Sequence, residues 1–311
     1  MDTLSIKEAA DLWCLSEQMV RRYCKEGKIE GAVRVGRSWV IPADTKYIDQ
    51  QEIVLTKSTP KLASQIIKQK NYKKAFHGLY DYLQLYMTYS SCRMASCRLT
   101  MDHIDMIFRK GKVVSRFEPL KVSDLIEALN HFACIDYVLD HLMEPLTQRY
   151  IKKLHSLLVM GTVDERKERV VAGRYRPEGY TIKDRTLIPA QLVPDELDRI
   201  IKEYEDVQQP EISDVLNFHV EFEILAPFRD YNGRLGRLVM LKECLRHSIT
   251  PFVLDDKRRG DYLDGIKKWS GRRKLLIGVV AEAQERFESA IERQELRRYG
   301  LEYEPPGYSN N

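Results

Sequence analysis

The sequence predicts a mainly α protein: a small winged helix-turn-helix unit, then a larger helical bundle with a β-hairpin at its rim. Three observations predict it. Two short, capped helical patterns lie within the first 25 residues, separated only by Cys14-Leu15-Ser16. From about Tyr72 onward apolar residues recur almost throughout at helical spacing. Between those helical patterns, Val170–Arg176 and Tyr180–Ile182 read instead as strand segments around a turn.

In chain order, residues 1–50 read as one compact unit. Ser5-Ile6-Lys7-Glu8 is a capping box that starts a short helix through Ala9, Ala10, Leu12 and Trp13. Ser16 caps a second helix, Glu17 to Lys25, which Gly27 ends. Ala32 to Pro42 then reads as a hairpin turning at Gly36, which would form a wing. From Leu4 to Pro42, including Ser-x-x-Glu-Ala-Ala at the start and Gly-Arg-x-Trp-x-Ile-Pro at the end, the segment resembles the small winged helix-turn-helix of the MerR and excisionase group. The resemblance implies DNA binding, with Gln18, Arg21 and Arg22 in the major groove and Arg34 and Arg37 on phosphate. Charge tempers this: the unit holds eight Lys/Arg and eight Asp/Glu, although Arg21 to Arg37 has six basic and two acidic residues. A wing that binds protein instead is the alternative.

Residues 51–71 lack a clear period and read as a linker, and 72–295 as the bundle. Leu125, Ile126, Leu129, Phe132, Ile135 and Val138 mark one helix, Ile151, Leu154, Leu157 and Leu158 another, and Pro194 opens a third. The tail, 296–311, contains Pro305, Pro306 and Gly307 and reads as loose.

Composition narrows the class. With 311 residues, 43% hydrophobic and 31% charged, the balance is that of an ordinary soluble protein. No run of about 18 apolar residues suggests a membrane span, and the opening residues lack the basic and apolar stretches of a secretory signal. Six scattered cysteines without a CxxC pair read as reduced thiols of a cytoplasmic protein; Cys92 and Cys97 lack the His or Cys neighbours of a zinc site.

One segment carries chemistry: His219-Val-Glu-Phe-Glu-Ile-Leu-Ala226-Pro-Phe-Arg-Asp230-Tyr-Asn232-Gly-Arg234-Leu-Gly-Arg237. Apolar faces on either side predict two helices with a loop between them. Asn232 and Gly233 allow tight turning, and the amides opening the second helix favour an anion. Arg234 and Arg237, three apart, face one side and can fork onto phosphate, while Asp230 is a hard oxygen ligand suited to Mg2+. The residues alone read as a polyphosphate–Mg2+ site, or as a structural loop held by Arg–Asp pairs.

The segment resembles the signature of Fic-domain proteins, His-Pro-Phe-x-Asp/Glu-Gly-Asn-Gly-Arg-x-x-Arg. The resemblance spans about residues 75–290 and implies a protein adenylyltransferase that moves AMP from Mg-ATP to a Ser, Thr or Tyr hydroxyl of a protein, itself included. It places Mg2+ on Asp230 and the nucleotide on Asn232, Gly233, Arg234, Gly236, Arg237 and Tyr262, with Asn232 and Arg234 also assisting catalysis. Pro227 and Phe228 would shape the loop. Val170–Arg176 and Tyr180–Ile182 resemble the family's target-binding hairpin, or flap, with Gly173, Tyr175, Tyr180, Thr181 and Ile182 on the target. A homodimer is implied as well.

Three positions depart from the family. Tyr231 replaces the first glycine. Ala226 stands at the general base, whose loss typically costs about 100- to 10,000-fold in rate, and His219, two turns earlier, reads as a core residue. Finally, Ser90 to Thr100, near the helix expected at 88–100, resembles the family's inhibitory element. It keeps Ser91 but has Ala95 at the inhibitory glutamate, which would leave Arg237 free. The expectation is an adenylyltransferase released from inhibition at Ala95 and inactive through Ala226, whether engineered or natural. The alternative is a DNA-binding regulator whose Fic-like domain senses nucleotide without catalysis.

Overall fold

The computed structural model describes residues 3–12, 17–25, 29, 31–36, 38–43, 45, 60–72, 78–114, 119–182 and 185–298. They form two compact units, residues 1–59 with 68–75 and residues 60–67 with 76–311.

In the first unit, α1 (Ile6–Leu12) starts at the expected capping box. Ser5 Oγ accepts from the Glu8 amide at 3.2 Å, and a Glu8 carboxylate oxygen accepts from the Ser5 amide at 2.8 Å. α2 (Glu17–Lys25) follows. β2 (Val33–Val35) and β3 (Ser38–Pro42) pair antiparallel with Val33 opposite Val40 and Val35 opposite Ser38. Gly36 turns the hairpin at a φ of +61°, which glycine adopts without strain. β1 (Thr3–Leu4) adds to the other side of β3, giving the order β1-β3-β2. Ile6, Ala9, Ala10, Val20, Cys24, Ile29 and Ile41 close a core of their own.

α3 (Lys61–Tyr72) occupies the second half of the stretch read as a linker, 51–71, and runs one residue past it. In the second unit, Leu79–Tyr82, Leu83–Met87 and Thr88–Met94 run on as one helix, α4, whose middle stretch takes the wider π form. α5 (Met101–Lys110), α6 (Val122–Asp140), α7 (Gln148–Val159) and α8 (Val193–Glu205) follow, then α9 (Ile212–Leu225), α10 (Asn232–Arg246), α11 (Arg259–Lys267) and α12 (Arg273–Arg298). Every residue of α10 from Arg234 to Leu245 is buried, so this helix runs through the centre of the bundle. Even Lys242 is enclosed there, bonded to Glu243 at 2.6 Å and to the Glu144 carbonyl at 2.7 Å.

Among the described residues, the rim hairpin is reduced to one antiparallel bridge, Ile182 to Arg185. Val170–Arg176 forms turns and irregular chain rather than a strand, its amides bonding elsewhere than to a strand partner: Arg174 to the Val171 carbonyl and Arg176 to the Pro227 carbonyl. The Gly173 amide donates to His155 Nδ1 at 2.9 Å, and a side chain at Gly173 would come within 2.6 Å of Ser156 Oγ.

Candidate functional site

The loop between α9 and α10 is built around two left-handed residues. α9 ends at Ala226, with φ 45° and ψ 64°, and Tyr231 precedes α10 with φ 70° and ψ 2°. Such dihedrals in side chains larger than glycine typically cost about 1–3 kcal/mol, so the surroundings must hold them. Arg176 does so at the first. Its Nε donates to the Ala226 carbonyl at 3.1 Å, its Nη2 to the Ile188 carbonyl at 2.7 Å, and its amide to the Pro227 carbonyl at 2.9 Å. Asn232 closes the loop: its Oδ1 accepts from the Phe228 amide at 3.0 Å and its Nδ2 donates to the Phe228 carbonyl at 2.8 Å. His155 stacks on the Phe228 ring with centroids 3.9 Å apart.

Tyr231 sits where the motif has glycine, and its side chain turns inward, 2% exposed. Its hydroxyl donates to Glu127 Oε1 at 3.2 Å, and burial pushes its phenol well above the ordinary range. The Arg234 guanidinium lies 3.8 Å over the Tyr231 ring and pairs with Glu127 Oε2 at 2.6 Å. Burial, the largest influence, opposes the charge of Arg234, but Glu127 together with Tyr231, Asp230 and Cys92 outweighs it and holds the guanidinium pKa above its usual value. Glu127, on α6, is one of the residues that sequence reading missed. Its one signal was a carboxylate between Asp124, Ala128 and His131, all buried on the same helix.

Arg237 also has partners, against the expectation that the loss of the inhibitory glutamate leaves it free. Its Nε donates to Ser91 Oγ at 3.0 Å and its Nη2 to the Ser91 carbonyl at 3.4 Å. A hydroxyl and a carbonyl thus hold the guanidinium, while Ala95, at the exposed end of α4, has no polar side chain to offer it. Arg234 and Arg237 therefore reach different partners, on α6 and α4, rather than forking onto one anion.

His219 is fully buried, its Nε2 2.5 Å from the Tyr262 hydroxyl. Burial first, then the nearby Arg237, lowers its pKa to about 3, so it stays neutral in the core as expected. A side chain at Gly236 would come within 2.6 Å of His219 Nδ1, so this glycine serves close packing. Tyr262 is likewise interior. Gly233 faces two side chains, since a Cβ there would lie 3.2 Å from Arg237 Nη1 and 3.3 Å from Glu223 Oε1. Burial raises the pKa of Glu223 against the pull of Arg237 and Arg185. Asp230 is exposed, with one oxygen accepting from the Tyr231 amide. Among the described residues no three His, Cys, Asp or Glu gather closely enough to hold a metal ion, and no helix is long and apolar enough to cross a membrane.

At the rim, the Tyr180 hydroxyl donates to the Arg229 carbonyl at 2.7 Å, and Tyr175 donates to Gln148. Thr181 is exposed, and Ile182 makes the bridge. Arg185, unforeseen from sequence, donates from Nη2 to the carbonyls of Glu223 and Ile224 and so caps the end of α9. In the N-terminal unit Arg21 is exposed and paired with Glu17 at 2.9 Å, and Arg34 is exposed on β2. The side chains of Gln18 and Arg22, and all of Arg37, lie outside the described residues.

The two arginines that a polyphosphate would meet already have partners in this arrangement. Arg234 is neutralised by Glu127, Arg237 is held by Ser91, and the Tyr231 ring packs under Arg234 where the motif has only a hydrogen.

Residues 145–244 match the model of the Fic/DOC family, and residues 3–45 match that of a helix-turn-helix domain. Among solved structures, the chain is similar to a Fic domain-containing signaling protein from Bacteroides thetaiotaomicron. That match has 15% identity and a TM-score of 0.61 over 83% of this chain and 99% of the other. It is also similar to Fic-1 from C. elegans (17% identity, TM-score 0.58, 82% and 79% covered) and to a Fic family protein from Desulfovibrio desulfuricans (17%, 0.53, 80% and 85%). At such identities the likeness establishes the fold alone. Comparison with curated proteins gave no match.

Proposed function

We propose that this chain, a Fic domain carried behind a helix-turn-helix domain, is a DNA-associated regulator whose Fic domain no longer transfers nucleotide. The observation that carries the reading is the state of the anion loop. Ala226 offers a methyl group where a transferase needs a proton acceptor, and the two arginines that would meet phosphate are held by Glu127 and Ser91.

No neighbouring histidine fills the gap. His219 is engaged with Tyr262, and His155 accepts from the Gly173 amide through Nδ1. Burial lowers His155 to about 4, with Arg234 adding to the effect. The exposed Arg21 and Arg34 support DNA contact by the N-terminal unit. Descent from protein adenylyltransferases accounts for the retained Asp230, Asn232, Gly233 and both arginines.

The test has two arms. The protein is incubated with Mg2+ and α-phosphate-labelled ATP, alone and with a cell extract, beside Ala226→His. No label on any protein from the unsubstituted chain supports the reading, and transfer above background overturns it. Label appearing only with the variant would place the lost chemistry at position 226 alone. In the second arm, gel shifts with genomic fragments should show binding that weakens with salt and with Arg34→Ala. Absence of any shift at low salt overturns the DNA part.

A further inference from the structure

Cys92 and Cys97 are five residues apart and looked unrelated in the sequence, but the end of α4 brings them together. The helix closes with a left-handed Ser96, φ 67°, and two reversed hydrogen bonds. The Cys97 amide donates to the Cys92 carbonyl at 3.0 Å and the Ser96 amide to the Arg93 carbonyl at 3.0 Å. This closure sets the third-last helical residue against the second residue beyond the cap Ala95, and here both are cysteines. Their side chains share one buried cluster with Leu99, Ile104 and Phe132. The thiols are near enough for Cys92 to donate to Cys97, and the Leu99 amide also donates to Cys97 Sγ at 3.4 Å.

We propose that Cys92 and Cys97 form a redox modification site, a dithiol that closes to an intrachain disulfide under peroxide. The two donors, Cys92 first, lower the pKa of the Cys97 thiol, making it the more reactive of the pair. The Cys92 thiol is raised well above its ordinary value, its proton held toward Cys97. Cys97 thiolate attacks hydrogen peroxide, giving a sulfenic acid and hydroxide. Cys92 then attacks the Cys97 sulfur, and the sulfenic oxygen leaves as water. In total two thiols and one peroxide give one disulfide and two waters. A disulfide needs Cα atoms roughly 4.4–6.8 Å apart, a span that a residue pair joined across such a helix end meets with little movement.

The position gives the site its interest. Ser91, the partner of Arg237, is the residue before Cys92, and Arg234 and Glu127 both bear electrostatically on Cys92. A disulfide would clamp the helix end that holds Ser91 against Arg237. This inference does not depend on whether the Fic domain transfers nucleotide.

The full chain is treated with hydrogen peroxide, its remaining thiols alkylated, and the product mapped without reduction by mass spectrometry. The expected result is a species lighter by two hydrogens with Cys92 joined to Cys97, reversed by dithiothreitol. All four cysteines are buried, so the difference expected is one of thiolate character: the linkage should form at least about tenfold faster than any linkage or oxidation at Cys134 or Cys244, whose thiols are pushed well above their ordinary pKa while that of Cys97 is lowered. Cys92→Ala should then leave Cys97 as a trappable sulfenic acid, and Cys97→Ser should leave Cys92 unmodified, with circular dichroism confirming that each variant folds. The proposal is overturned if, in the unsubstituted chain, Cys97 oxidises without joining Cys92, or if the pair reacts no faster than Cys134 and Cys244.

Discussion

Replacing Glu127 by Gln tests the central claim about the anion loop, that a carboxylate from α6 occupies the role of the missing ligand. Arg234 is 8% exposed and its 2.6 Å partner sits on a side chain only 15% exposed, so water replaces little of the lost charge. Breaking a buried pair by removing one partner typically costs about 3–5 kcal/mol. Gln keeps the shape and one acceptor oxygen, so a hydrogen bond from the charged guanidinium recovers roughly 1–2 kcal/mol of that. The expected loss is therefore about 2–3 kcal/mol. Urea unfolding, read by tryptophan fluorescence and far-ultraviolet circular dichroism, should show the midpoint fall by roughly 1 M, taking a slope of about 2–3 kcal/mol/M. The same variant leaves Arg234 without a counter-charge, so inorganic pyrophosphate should raise its melting temperature while leaving the unsubstituted chain unchanged. A loss under about 0.5 kcal/mol, with pyrophosphate acting equally on both proteins, would refute the reasoning.

Three further outcomes follow from the same geometry. Tyr231→Gly relieves a left-handed side chain but empties a site that is 2% exposed. The cavity cost of roughly 3–5 kcal/mol should outweigh the relieved strain of about 1–2 kcal/mol, a net loss that thermal unfolding would measure. Gly236→Ala sets a methyl 2.6 Å from His219 Nδ1, so a destabilisation of about 1–3 kcal/mol is expected from overpacking. A neutral result in chemical unfolding would mean that His219 moves aside. For pH, His131 and His219 are lowered to about 3 and His155 to about 4, burial being the first cause in each. The unfolded chain takes up these protons near pH 6.5 and the folded chain does not, so their stabilisation is complete above that pH and is lost as pH falls toward 4. Each neutral histidine adds a slope of about 1.4 kcal/mol per pH unit in that window. Urea midpoints at pH 7, 6 and 5 should fall steeply, and a flat series would contradict the buried neutral state.

Much of this protein was legible from sequence because local rules carry it. The Ser5–Glu8 capping box, the Gly36 turn and the helical periodicity of the bundle depend on neighbours within a few residues, and the structure has each where it was expected. His219 read as a core histidine on the same ground. The loop motif itself stood out because its residue types are unusual at that spacing.

What only the tertiary structure decided is where the charges go. Arg234 and Arg237 lie on the same side in a helical projection, yet one reaches 107 residues away to Glu127 and the other 146 residues away to Ser91. No periodicity encodes such partners, because they depend on how α4 and α6 pack against α10. The same holds for Tyr231, whose left-handed backbone sends a ring inward where a glycine was expected. It also holds for Cys92 and Cys97, which only the closing turn of α4 sets side by side. The sequence determined the helices and the place of the site. Packing in a low-dielectric interior, where an unpaired charge is costly and every buried arginine must find an acceptor, determined what the site is able to do.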